Sequence, residues 1–152
     1  MAQHESVSVT EIADRFAIDD LLTRYALAID TKDYAVLRSV FAPDAMLDYT
    51  GAGAIRGGPD DVVGWLQKAL AGFPATQHFV TNRSVTLDGD RATSYSYFYN
   101  PMSWTDGEDR QRAFFVGGYY NDRLERRPEG WRIVERVVEV AWRDGELPGA
   151  RS

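Results

Sequence analysis

The second half of the chain, from Thr76 to Trp142, is a succession of extended stretches broken only by turn signals. Asp88-Gly89-Asp90, the polar stretch Thr105–Glu108 and Pro128-Glu129-Gly130 separate strands expected over 76–87, 91–104, 111–126 and 131–142. The first half is helical in period. Ser8 or Thr10 can cap a helix whose apolar residues Ile12, Phe16, Leu22, Ala26 and Ile29 recur at helical spacing, with Leu21 and Tyr25 beside them. It ends near Asp30-Thr31-Lys32. Asp33 caps a short second helix over 34–41 that Pro43 stops, and Pro59 starts a third running to about Ala71. Between them Ala45–Tyr49 reads as a strand, followed by a glycine-rich turn region. Helices followed by a run of strands define an α+β fold, and an antiparallel sheet curved around helices encloses a pocket for a small molecule.

Composition narrows what could enter. With 152 residues and 44% hydrophobic content the chain is one domain with a sizeable core, burying roughly 70% of its unfolded surface. A net charge of −6 without a basic stripe argues against nucleic acid. The pair Arg126-Arg127 is flanked by Glu125 and Glu129 and reads as a solvated turn. No cysteine means no disulfide, thiolate nucleophile or thiolate metal site. No segment approaches the ~20 apolar residues of a membrane span, and the first residues lack the pattern of an export signal, so the cytoplasm is the expected compartment. Residues 1–9 are expected to form a flexible arm, 10–143 the domain, and 144–152 a frayed tail.

Several polar groups run against this pattern. Even positions of the last strand are Arg132, Val134, Arg136, Val138, Val140 and Trp142, which aims Arg136 inward, either into a structural ion pair or towards a substrate. His78 is the only histidine outside the N-terminal arm; on its strand face lie Thr76, Val80 and Asn82. It becomes a candidate base only with a carboxylate to orient it. Asp30, at the negative end of the first helix, is one such carboxylate, although spacing alone favours a solvated helix end. Tyr95, Tyr97 and Tyr99 share one strand face and Phe114, Val116 and Tyr120 another, a distribution that suits either a core or a pocket dotted with hydroxyls.

In order along the chain, Ile18–Asp33, Phe41-Ala42-Pro43-Asp44-Ala45, Thr76-Gln77-His78-Phe79 with Asn82, and Gly117–Asp122 followed by Gly130–Ile133 resemble the SnoaL-like domains of the nuclear-transport-factor-2-like superfamily. The resemblance covers roughly residues 10–143 and is greatest to the branch of scytalone dehydratase, hexachlorocyclohexane dehydrochlorinase and bile-acid 7α-dehydratase. It implies an α+β cystatin-like cone, with three N-terminal helices packed on a strongly curved, mostly antiparallel sheet. It also implies an Asp–His pair at Asp30 and His78 and a substrate-binding set of Tyr25, Tyr49, Trp65, Asn82, Tyr97, Tyr120 and Arg136. The chemistry implied is a dehydratase-type elimination or an isomerisation of a small apolar, cyclic molecule, needing neither cofactor nor metal; the alternative is a binding or dimerisation module of the same fold. A homodimer or homotrimer is the assembly implied. The second pocket histidine and the serine–asparagine pair of scytalone dehydratase have no counterpart, since Gly117 and Gly118 occupy that region, and scytalone itself is therefore a poor substrate. If Asp30 serves function at the expense of the helix end, Asp30→Asn is expected to inactivate while leaving stability unchanged or improved.

Overall fold

A computed structural model describes residues 7–149. Ser8 opens α1 (Val9–Asp30) through a capping box, its hydroxyl accepting from the Glu11 N–H while the Glu11 carboxylate accepts from the Ser8 N–H. The expected flexible arm therefore ends before Ser8, and its first six residues lie outside the described part. The buried stripe of α1 is Ile18, Leu21, Leu22, Tyr25, Ala28 and Ile29, a 3–4 spacing that faces the sheet. Ile12 and Phe16, assigned to that stripe on period alone, are exposed. The inward position near them is taken by Asp14, which accepts from the Trp131 indole and Arg126.

Asp33 caps α2 (Tyr34–Ser39), and β1 (Phe41–Asp48) follows at once. Phe41 and Pro43 thus belong to a strand, because Val40 already ends the helix. After a 3₁₀ turn at Thr50–Ala52 come β2 (Arg56–Gly57), α3 (Pro59–Ala69) and a second 3₁₀ turn at Leu70–Gly72. The third helix is consequently inserted after the first strand instead of completing an N-terminal trio. β3 (Ala75–Thr76), β4 (Phe79–Asp88), β5 (Arg91–Thr105), β6 (Gln111–Arg127) and β7 (Gly130–Gly145) complete the chain. The sheet runs β2-β1-β7-β6-β5-β3, with β4 also on β5; β1 lies parallel to β7 and every other pairing is antiparallel. The fold is therefore α+β, with a curved mixed sheet that wraps α1 and α3.

Irregularities in the ladder decide which side chains face inward. In β4 a bulge between Thr81 and Ser84, with Asn82 at φ 48°, breaks the alternation that Val80 begins. In β7 the pairing skips Val134, so Trp131 and Ile133 point inward before the bulge and Arg136 and Val138 after it. A second skip at Ala141 turns Trp142 to the convex side, where its ring lies over Gly117. β5 alternates without interruption: Ala92, Ser94, Ser96, Phe98 and Asn100 face inward, while Tyr95, Tyr97 and Tyr99 stand on the convex surface with Tyr119 and Trp142. Among the described residues no helix is long and apolar enough to cross a membrane.

Candidate active site

The expected strand over 76–87 is interrupted at Gln77 and His78. β3 and β4 both lie along β5 in one register, Thr76 opposite Met102 and Phe79 opposite Tyr99. Between them the Gln77 N–H reaches the Pro101 carbonyl, but Pro101 has no N–H to return the bond. The alternation of an antiparallel ladder then turns the backbone N–H of the next residue, His78, away from β5. That N–H donates to Asp30 Oδ2 at 2.7 Å. The His78 ring meets the same carboxylate, Nδ1 to Oδ1 at 2.6 Å, and Thr76 Oγ1 donates to Oδ1 at 2.8 Å. Residues 48 positions apart are thus tied by both backbone and side chain, and the ring's Nε2 is left for the cavity that His78 lines.

Three donors converge on Asp30. Its burial would raise its carboxyl, but the bonds from the His78 ring, the His78 backbone and Thr76 outweigh that and hold it below the ordinary carboxylate value. The carboxylate is therefore an anion against the imidazole. The same three bonds outweigh the relief that Asp30→Asn would bring at the helix end, because each of them is strengthened by the carboxylate charge.

His78 opens on a cavity of about 620 Å³ between α1, α3 and the concave face of the sheet. Phe98, Met102, Phe114, Val116 and Val138 form apolar wall on the sheet side. Tyr25, Tyr49 and Tyr120 supply hydroxyls: Tyr25 Oη lies 3.2 Å from Tyr49 Oη and 3.4 Å from Tyr120 Oη. Burial raises Tyr25 and Tyr49 well above the usual phenol value and Tyr120 to about 12, so all three are neutral donors in ordinary buffers. Behind them Arg136, fully buried, stacks against the Tyr25 and Tyr120 rings at 4.2 and 4.1 Å from their centroids and pairs with Asp122 through two bonds of 2.7 Å. Burial opposes its charge, but the Asp122 carboxylate overrides this and keeps the guanidinium protonated. Its Nη1 has no protein partner.

The structure thus brings together Tyr25, Asp30, Tyr49, Trp65, His78 and Tyr120 around one cavity. Three expected binding residues fall elsewhere. Asn82 is turned to solvent by the β4 bulge. Tyr97 is on the convex face, because the uninterrupted alternation of β5 gives the concave face to its even-numbered residues. Arg136 is inward but sits behind the tyrosines as an ion pair, outside the cavity wall. Sequence reasoning passed over Thr76, Phe98, Asn100, Met102 and Val138, whose only signal is the face they occupy. It also passed over Lys68 and Arg143, and over Leu147 and Pro148 of the supposedly frayed tail. Its described part, up to Gly149, is held by a bond from the Trp104 indole to the Glu146 carbonyl and by Pro148 against Gly72.

Residues 10–137 match the SnoaL-like domain family. Rv2910c, an uncharacterized protein of Mycobacterium tuberculosis, is 43% identical over 131 residues, 86% of this chain and 88% of that protein. A candidate aromatic ring hydroxylase from Novosphingobium aromaticivorans has a similar structure (TM-score 0.78, 29% identity, 92% of this chain and 98% of that one). The hexachlorocyclohexane dehydrochlorinase LinA-type3 from Novosphingobium barchaimii shares the fold at 19% identity, with a TM-score of 0.74 over 93% of this chain and 94% of its own.

Proposed function

The chain belongs to the SnoaL-like domain family, and from that premise we propose that its cavity catalyses a lyase or isomerase reaction of a small, largely apolar cyclic substrate, started when His78 removes a C–H proton. The observation that carries this is the Asp30–His78 contact, made at the wall of a cavity that also holds three neutral phenols. With Nδ1–H donated to Asp30, the Nε2 lone pair points to substrate and accepts its proton. The imidazolium so formed is stabilised by the adjacent carboxylate. A positioned base of this kind is worth roughly 10²–10⁴-fold. Negative charge then develops on a substrate oxygen, and Tyr25, Tyr49 and Tyr120 are the donors for it. The buried Arg136 acts through them, its charge lying against two of their rings.

Two outcomes share this first step. If the C–O bond on the neighbouring carbon breaks, the electron pair of the C–H bond becomes the new double bond, and the departing oxygen takes a proton and leaves as water. If the proton is returned to another carbon, the product is an isomer. Electrons balance in both without a redox partner. The fold neighbour named for dehydrochlorination is by its name also an eliminating enzyme, with a C–Cl bond broken in place of the C–O bond.

The test is a turnover screen of hydroxylated and unsaturated cyclic compounds against wild type, His78→Ala and Tyr25→Phe. The expected result is conversion by wild type, a loss of at least about 100-fold in His78→Ala, and a smaller loss in Tyr25→Phe. Binding without turnover, retained by His78→Ala, would establish a binding module in its place.

A further inference from the structure

The cavity wall has a charge pattern that the apolar reading does not use. The chain carries 23 acidic against 17 basic residues, yet among the described residues no carboxylate lines this cavity. Its charged lining side chains are Lys68 and Arg143, both cationic. Both are exposed, as are Gly53, Gly72 and Leu147 of the same lining, which marks this end as the mouth; the tyrosines and Phe98 are buried at the other. Lys68 comes from the last turn of α3 and Arg143 from the end of β7, so two separate elements bring positive charge to the exposed part of one lining. Neither has a carboxylate within ion-pair distance among the described residues. The bond of Arg143 is a long one, 3.4 Å to the Gly51 carbonyl, which a better acceptor would displace.

We propose that Lys68 and Arg143 are specificity-determining residues that receive a carboxylate, so that the substrate is an apolar ring system bearing an acid group at the end away from the reacting carbon. The inference rests on the cavity being the substrate site. A guanidinium fork and an ammonium point charge match one carboxylate, and the fork can engage both of its oxygens. In an acidic protein a local cationic rim is also what draws an anion to the entrance and turns it, charged end outward, apolar end in. The acid then stays in contact with water, where its desolvation cost is small.

Biphenyl-4-carboxylate and biphenyl-4-carboxamide share size and shape and differ in charge. Their affinities would be measured by calorimetry at low ionic strength on the full chain, with the His78 ring NMR signals reporting that the cavity is occupied. Wild type is expected to bind the carboxylate about tenfold more tightly, in keeping with two solvent-exposed ion pairs, and added salt should shrink that preference. Lys68→Gln/Arg143→Gln should bring the two ligands within about twofold while leaving carboxamide affinity unchanged, a readout that also shows the variant is folded. Equal binding by wild type overturns the proposal. So does a preference that survives in the double variant, since the anion would then be held elsewhere, on the His78 imidazolium for instance. Binding of both probes without preference refutes only the anionic substrate, whereas failure of either probe to perturb His78 refutes the substrate-site reading as well.

Discussion

Replacing Asp30 by asparagine keeps shape and removes charge, and the bonds to this carboxylate allow the consequence to be worked out atom by atom. Oδ2 accepts the His78 backbone N–H, and Oδ1 accepts Thr76 Oγ1 and His78 Nδ1. Asparagine offers one carbonyl and one NH₂. The backbone N–H is a fixed donor, so the carbonyl takes that place and the NH₂ faces Thr76 and the ring. The threonine hydroxyl can rotate to accept; the imidazole can accept only by moving its proton from Nδ1 to Nε2. The lone pair facing the cavity is then gone. Proton abstraction should fall by roughly 10²–10⁴-fold. Stability should fall too. Each bond loses its charge assistance, a difference of about 1 kcal/mol, against a relief of roughly 0.5 kcal/mol for removing a negative charge from a helix C-terminus. A net loss of about 2.5 kcal/mol corresponds to a melting point lower by about 5–10 °C for a chain of this size. Calorimetric melting gives the second number, and long-range nitrogen–proton NMR of the ring gives the tautomer without any substrate. A variant that melts at or above the wild-type temperature, or keeps its ring proton on Nδ1, would refute this account of the site.

Other perturbations have signs set by the same coordinates. In Gly118→Ala the new Cβ would collide with the Glu139 carbonyl oxygen and lie 2.9 Å from the Phe98 ring, so urea denaturation should show a loss of about 1–3 kcal/mol. Arg136→Met strands the buried Asp122 carboxylate and should cost about 3–5 kcal/mol, most of it recovered in Arg136→Met/Asp122→Leu; no recovery would mean the pair does more than neutralise itself. Asp14, held low by its bond from Arg126 and then by the Trp131 indole, and Asp30 both have folded values below 3.8. Their contribution is therefore complete above about pH 4 and is lost as pH falls through the folded values, so melting temperature should drop on acidification below about pH 4, less steeply in Asp14→Asn. A homodimer or homotrimer formed through the convex aromatic face should shift to a smaller species in light scattering for Tyr97→Glu/Trp142→Glu, and an unchanged mass would place any interface elsewhere.

What the sequence by itself determined is local or periodic. A helix start at Ser8 or Thr10, the Asp33 cap, the two-residue turn at Gly89 and the shared face of Tyr95, Tyr97 and Tyr99 are written in adjacent residues, and local hydrogen bonds and sterics are enough to read them. Class and order of elements followed from these. Tertiary structure alone decided which face of each element is inside. The tyrosines at 95, 97 and 99 could have lined the cavity or the exterior on period alone, and only the sheet's direction of curvature sent them out. Asn82 and Trp142 turned outward, and Trp131 and Ile133 inward, because single-residue bulges invert or skip the alternation, and a bulge has no signature in spacing. The Asp30–His78 pair stood in the sequence as two unremarkable residues joined by a resemblance. Their contact depends on a third element, β5: with Gln77 bonded to the Pro101 carbonyl there, the next residue turns its backbone N–H the other way, to the end of α1. Burial and electrostatics act through space, so a site assembled from α1, the β3–β4 gap and the concave sheet exists only once the chain has folded.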